Sequence, residues 1–156
     1  MSKQSAGILL YRKIDNQLQV FLVHPGGPFF KNKDIGVWSI PKGEFLDDED
    51  ALLAAKREFL EETGQPVDGE FIPLKPVILK SGKKVVAWAV EGNIDHEIIV
   101  SNFFEMEWPL KSGKKQSFAE IDRGEWFGVE TAKLKINPAQ AAFIDEITKS
   151  PQQGEI

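Results

Sequence analysis

Residues 57–62 read Arg-Glu-Phe-Leu-Glu-Glu, and three of their side chains offer a carboxylate. On a helix turning ~100° per residue, Glu58, Glu61 and Glu62 stand at i, i+3 and i+4 and share one face. Like charges so placed repel each other. A hard divalent cation, Mg²⁺ or alternatively Mn²⁺, relieves the repulsion because it favours carboxylate oxygens. A solvated acidic face is the commoner meaning of Glu-x-x-Glu-Glu on its own, so the surrounding spacing has to decide.

That spacing is specific. Gly43, Glu49, Arg57, Glu58, Glu61, Glu62 and Gly64 complete the pattern G-x5-E-x7-R-E-U-x-E-E-x-G, with Phe59 at the apolar position U. At residue frequencies of ~5–8%, seven fixed positions coincide by chance on the order of 10⁻⁹–10⁻⁸ per window. The segment resembles the signature box of the Nudix hydrolases. It departs only at the last position, where Gln65 replaces the usual aliphatic residue.

The resemblance implies an α/β (α+β) fold, an α/β/α sandwich with a mixed β-sheet, extending over about residues 3–149. It also implies hydrolysis of a diphosphate linkage in a nucleoside diphosphate joined to another group, with divalent metal as cofactor. Glu58, Glu61 and Glu62 would then be metal ligands, joined by a backbone carbonyl at Lys42 or Gly43. Arg57 would orient the glutamates, Glu49 would support the loop and Arg57, and Gly64 would serve the tight exit of the helix. The general base would be a box glutamate or a downstream carboxylate, Glu105, Glu107, Glu120 or Glu125, of which Glu120 is favoured.

The remaining clues bear on the substrate. Trp38-Ser39-Ile40-Pro41-Lys42-Gly43-Glu44 leads into the box and is similar to dinucleoside polyphosphate and diphosphoinositol-type members. Lys42 places a cation beside the phosphate path this implies. A nucleobase needs an aromatic surface; Phe29 and Phe30, in a loop beside Gly26-Gly27, are preferred over Phe103, Phe104, Trp108 and Trp126. The only tyrosine is Tyr11, so the downstream tyrosine of some dinucleoside polyphosphate hydrolases has no counterpart. A nucleoside triphosphate pyrophosphohydrolase and a non-catalytic nucleotide sensor are the alternatives, the second disfavoured by the intact carboxylates. His24 is expected to end a strand with an ordinary hydrogen bond or a phosphate contact, and His96 has no assigned role.

Composition sets the outer limits. The chain has 156 residues, 42% of them hydrophobic, enough for a core. It has no cysteine, which excludes disulfides, thiolate zinc and a cysteine nucleophile, and two histidines, too few for an all-histidine metal site. A net charge of −5 disfavours duplex nucleic acid as a partner, and no stretch approaches the ~20 apolar residues of a membrane span. The N-terminus lacks signal-peptide zones, so a soluble cytoplasmic protein is expected.

The elements that must position the box follow from local pattern. Residues 5–13 and 18–24 read as a hairpin about Asp15-Asn16, followed by a loop to Gly36 and a short strand over 37–40. A helix is predicted over about 48–63, capped by Asp47 or Asp48, with Leu52, Leu53, Phe59 and Leu60 buried and the alanines 51, 54 and 55 bordering the acidic face. Strands are predicted over 71–80 and 84–91 about Ser81-Gly82-Lys83, over 97–108 and over 124–129. Asn137-Pro138 opens a terminal helix with Ala139, Ala142, Phe143 and Ile147 inward. The tail after Ser150 is predicted loose. Leu-Lys-Ser-Gly-Lys-Lys occurs at both 79–84 and 110–115, most simply as two solvated turns.

Overall fold

A computed structural model describes residues 4–149; the predicted loose tail lies outside the described residues. Strand β1 (Gln4–Ile14) turns through Asp15 and Asn16, both at positive φ, into β2 (Gln17–Pro25), as the turn residues predict. Residues 4–11 of β1 pair in parallel with the whole of β6 (Lys84–Glu91). The other edge of β1 is shared: residues 4–7 pair with β3 (Lys42–Phe45), and residues 11–14 with β2. β2 then pairs with β9 (Ile121–Gly128), while β4 (Ile72–Pro73) and β5 (Val77–Ile78) pair with β6. The result is a mixed seven-stranded sheet among the described residues. β7 (Phe103–Glu107) and β8 (Lys115–Ala119) form a separate two-stranded arm.

Strict alternation divides the sheet into two apolar faces. Ala6, Ile8, Leu10, Phe21, Val23 and Val90 face helix α1 (Ala51–Thr63). Leu9, Tyr11, Val20, Leu22, Val85 and Ala87 face α2 (Val129–Lys135) and α3 (Ala141–Lys149). The sandwich is therefore α/β/α with a mixed sheet.

Several local expectations need correction. α1 begins at Ala51, with Asp50 rather than Asp47 or Asp48 as its cap; the Asp50 carboxylate accepts from the Leu53 N–H at 3.0 Å. Its buried side is Ala54, Ala55, Phe59 and Glu62, whereas Leu53 is 65% and Leu60 47% exposed. The acidic face thus borders the sheet, because the small alanines beside it let the helix approach there. Residues 38 and 39 make only isolated bridges, to Ile136 and Val23. The strand starts after Pro41, which has no N–H to give a ladder. Residues 71–80 yield two short pieces, and 97–108 yields a 3-10 turn (His96–Ile98) and then β7. The terminal helix opens as a 3-10 turn capped by Asn137 and buries Ile144 rather than Ala142. Neither β8 nor α2 was expected from pattern.

Candidate active site

The acidic face of α1 is held against β3 by a close backbone approach. A Cβ added at Gly43 would lie 2.0 Å from Oε1 of Glu58, so no larger residue fits without displacing the carboxylate. On the other side of that carboxylate, Arg57 Nη1 donates to Glu58 Oε2 at 2.9 Å and lies 3.8 Å from Glu61 Oε2. Arg57 Nη2 donates to Glu49 at 3.2 Å, and the second oxygen of Glu49 accepts from the Leu46 N–H at 2.8 Å. Loop, Glu49, Arg57 and Glu58 are thereby one linked chain, and Arg57 orients carboxylates from the rim.

Electrostatics mark two of the glutamates. Burial, and then the charge of Glu58, push the Glu62 carboxyl up to about 8; Glu62 is only 8% exposed. Burial and then Glu61 raise Glu58 as well, against the pull of Arg57. Lys42 supplies the opposing charge, and its backbone N–H donates to Glu62. Burial and neighbouring Lys83 in turn lower the Lys42 ammonium. Lys83 is itself paired to Glu44 at 2.7 Å.

Of the four downstream acids, Glu120 is the one that raises both Glu58 and Glu62. Backbone hydrogen bonds carry it there. Asn102 N–H donates to the Glu61 carbonyl at 3.1 Å, Glu120 N–H to the Asn102 carbonyl at 2.8 Å, and Gly26 N–H to the Glu120 carbonyl at 2.8 Å. Gly26 is required in that relay, since a Cβ would stand 1.9 Å from the Ala119 carbonyl oxygen. The other candidates lie elsewhere: Glu107 accepts from the Gly113 N–H at 2.6 Å inside the arm's turn, Glu105 is in β7, and Glu125 is in β9 opposite Leu22.

Phe29 and Phe30 are both exposed on the loop after β2. Phe29 meets the Trp108 indole edge-on at 5.5 Å, and Lys33 lies over Phe30. Trp38 is core: it is buried, donates from Nε1 to Asp34 at 2.8 Å, and meets His24 and Phe127 edge-on. His24 is buried at the end of β2, with Nδ1 2.8 Å from Asp122 and Nε2 2.7 Å from the Lys33 carbonyl oxygen. Both lysine repeats form turns, with Gly82 and Gly113 at positive φ.

Two positioning residues escaped the sequence reading. Asn102 is invisible in a motif because it acts through its backbone. Gln140 is buried, and its Oε1 accepts from the Ile40 N–H at 3.0 Å, fixing the entry to β3. A glutamine among the inward residues of the terminal helix was the signal available for it.

Among the described residues no three carboxylates or histidines are already drawn into a ready-made metal cluster. The donor set nevertheless fits a hard cation: oxygen ligands only, from Glu58, Glu61 and Glu62, with two of them carrying a charge that burial opposes.

Comparison with known proteins agrees with this architecture. No curated protein sequence matches the chain. Among solved structures, a Caenorhabditis elegans Ap4A hydrolase in a binary complex superposes with a TM-score of 0.63 at 20% identity, over 92% of this chain and 95% of that one. The NUDIX domain of Shewanella oneidensis NrtR, complexed with ADP ribose, gives 0.60 at 18% identity over 94% and 85%. A structure from work on MutT of Aliivibrio salmonicida and Vibrio cholerae gives 0.55 at 14% identity over 92% and 93%. The profile of the NUDIX domain matches residues 1–147, so the acidic helix, the Gly43 approach and the sandwich around them belong to a member of the Nudix hydrolase family.

Proposed function

We propose that the protein is a divalent-cation-dependent hydrolase that cleaves a diphosphate linkage in a nucleoside diphosphate derivative, with dinucleoside polyphosphates favoured. The observation that carries this reading is the group of mutually repelling carboxylates beside Gly43, Glu62 buried and Glu58 and Glu61 half-buried, which a cation would relieve. A polyanionic diphosphate needs positive charge between itself and an acidic helix. Glu58, Glu61 and Glu62 would hold Mg²⁺ or Mn²⁺, with the Gly43 or Lys42 carbonyl beside them. When bound, the metal supplies charge neutralisation of phosphate oxygens and a more acidic water.

The chain's own residues do the rest. Arg57, tied to Glu49, keeps the Glu58 and Glu61 carboxylates in orientation. Lys42 holds Glu62 and adds a cation next to the phosphate path. Glu120, tethered through Asn102 and Gly26, accepts the proton of the attacking water. Phe29 and Phe30 offer aromatic surface near the substrate, and we place the activity in the cytoplasm.

Chromatographic product analysis tests the reading on a panel of dinucleoside polyphosphates, nucleoside triphosphates, ADP-ribose and NADH. Two nucleotides from a dinucleoside polyphosphate are expected. Release of pyrophosphate and a monophosphate from triphosphates alone would instead make the protein a triphosphate pyrophosphohydrolase. No cleavage of any compound, with nucleotide binding retained, would make it a sensor.

A further inference from the structure

Glu120 stands in the bend where the chain passes from β8 to β9, outside both strands. A residue so placed has no ladder to fix it, so the hydrogen bonds of the bend decide where its carboxylate points. The peptide unit that follows Glu120 is held at both ends. Its carbonyl accepts from the Gly26 N–H at 2.8 Å, and its N–H, that of Ile121, donates to the Ser101 hydroxyl oxygen at 3.0 Å. The plane of that unit sets ψ of Glu120, and with it the direction of the side chain. Ser101 completes the clamp by donating its own hydroxyl proton to the Asn102 carbonyl at 2.7 Å, the same oxygen that accepts from the Glu120 N–H.

Ser101 is in turn anchored to the acidic helix. It is half-buried in the irregular stretch before β7, and both its neighbours are bonded to the last turn of α1. Val100 N–H donates to the Thr63 carbonyl at 3.0 Å and Asn102 N–H to the Glu61 carbonyl at 3.1 Å. These carbonyls belong to the helix end, where no intrahelical partner is available. Gly64, at positive φ, permits the approach, since a Cβ there would stand 3.1 Å from the Val100 Cβ. Glu61 therefore gives its carbonyl to the Ser101 stretch while its carboxylate serves the acidic face.

Building on the hydrolase reading, in which Glu120 takes the proton of the attacking water, we infer that Ser101 is a positioning residue whose hydroxyl transmits the placement of α1 to the Glu120 carboxylate. Asn102 contributes only backbone, which any residue could supply. The hydroxyl is the one side-chain group in the clamp, and it is both acceptor and donor. Removing it leaves the peptide after Glu120 held at its carbonyl alone, and the carboxylate loses its fixed direction relative to Glu58, Glu61 and Glu62.

The test combines steady-state kinetics with amide hydrogen exchange on Ser101→Ala, Ser101→Thr and Glu120→Gln. In Ser101→Ala the Ile121 amide should exchange ~10-fold faster or more, because its acceptor is gone. The same variant should lose ~10-fold or more in kcat with KM nearly unchanged, the mark of a misplaced reacting group. Ser101→Thr keeps the hydroxyl and should restore both. Within Glu120→Gln, already slow, Ser101→Ala should change kcat less than ~2-fold, because the two residues act as one unit. An equal loss in that background, an unchanged kcat in folded Ser101→Ala, or failure of Ser101→Thr to rescue would each overturn the inference. Such a failure leaves the hydrolase reading intact where Glu61→Gln still abolishes cleavage. If the natural chain cleaves no diphosphate, the hydrolase reading falls and the catalytic role of Ser101 with it, while the exchange rates still decide whether the hydroxyl holds the bend.

Discussion

Glu62 carries the sharpest physical tension in the molecule: a carboxyl 8% exposed, beside Glu58, with Lys42 as its compensating charge. Its proton is held to about pH 8 in the folded chain, against an ordinary value of 4.5. The folded state therefore binds more protons than the unfolded state between those two pH values. Stability contributed by the neutral carboxyl is present below the lower value and lost as pH rises through the window, by on the order of a few kcal/mol without divalent cation. Urea midpoints taken near each end of the window should show that loss, and Glu62→Gln should flatten it. Gly43→Ala is expected to reduce turnover at least ~10-fold with the fold retained, since its Cβ displaces Glu58 from the position Arg57 sets; initial rates with circular dichroism check both halves. At this scale the box was readable because its residues fall at fixed spacing within one continuous stretch, Gly43 to Gly64. Glu120 had only a weak sequence signal, because three backbone hydrogen bonds between segments distant in sequence bring it to α1.

The orientation of α1 is what turns a charged helix into a site. A residue-by-residue apolar count points to Leu53 and Leu60 as core, yet both are exposed, while Phe59 is fully buried between the alanines and Phe21. The count fails because small residues, not large ones, set how closely a helix can lie on a sheet. Phe59→Ala should accordingly cost ~3–5 kcal/mol, whereas Leu53→Lys should stay within about 0.5 kcal/mol, both read from chemical denaturation. Gln140 plays the corresponding part on the other face. Gln140→Ala leaves the buried Ile40 N–H without its partner and should cost ~1–3 kcal/mol, while loosening the approach to β3. The β1–β2 hairpin was legible from its turn and alternation. β8 was not, because its residues are largely exposed and the strand is completed only by pairing with β7.

The whole sandwich divides its labour between faces. α2 and α3 cover one side of the sheet with an apolar layer in which Gln140 is a buried polar member, and α1 covers the other with alanines, Phe59 and its carboxylates. Such a division cannot be read from composition; the resemblance of the box implied the α/β/α arrangement, and α2 is the element that local pattern missed. A net charge of −5 across the molecule opposes a polyphosphate, so cation at the acidic helix has to supply the attraction. The central claim is therefore a claim about cation dependence at three named carboxylates. Its most direct test is the initial rate of dinucleoside polyphosphate cleavage against Mg²⁺ concentration, for the natural chain and for folded Glu61→Gln. We expect a saturable rise from no turnover in chelator, and a loss of ~100-fold or more in the variant. Turnover that persists in chelator, or is unchanged by Glu61→Gln, would contradict the account.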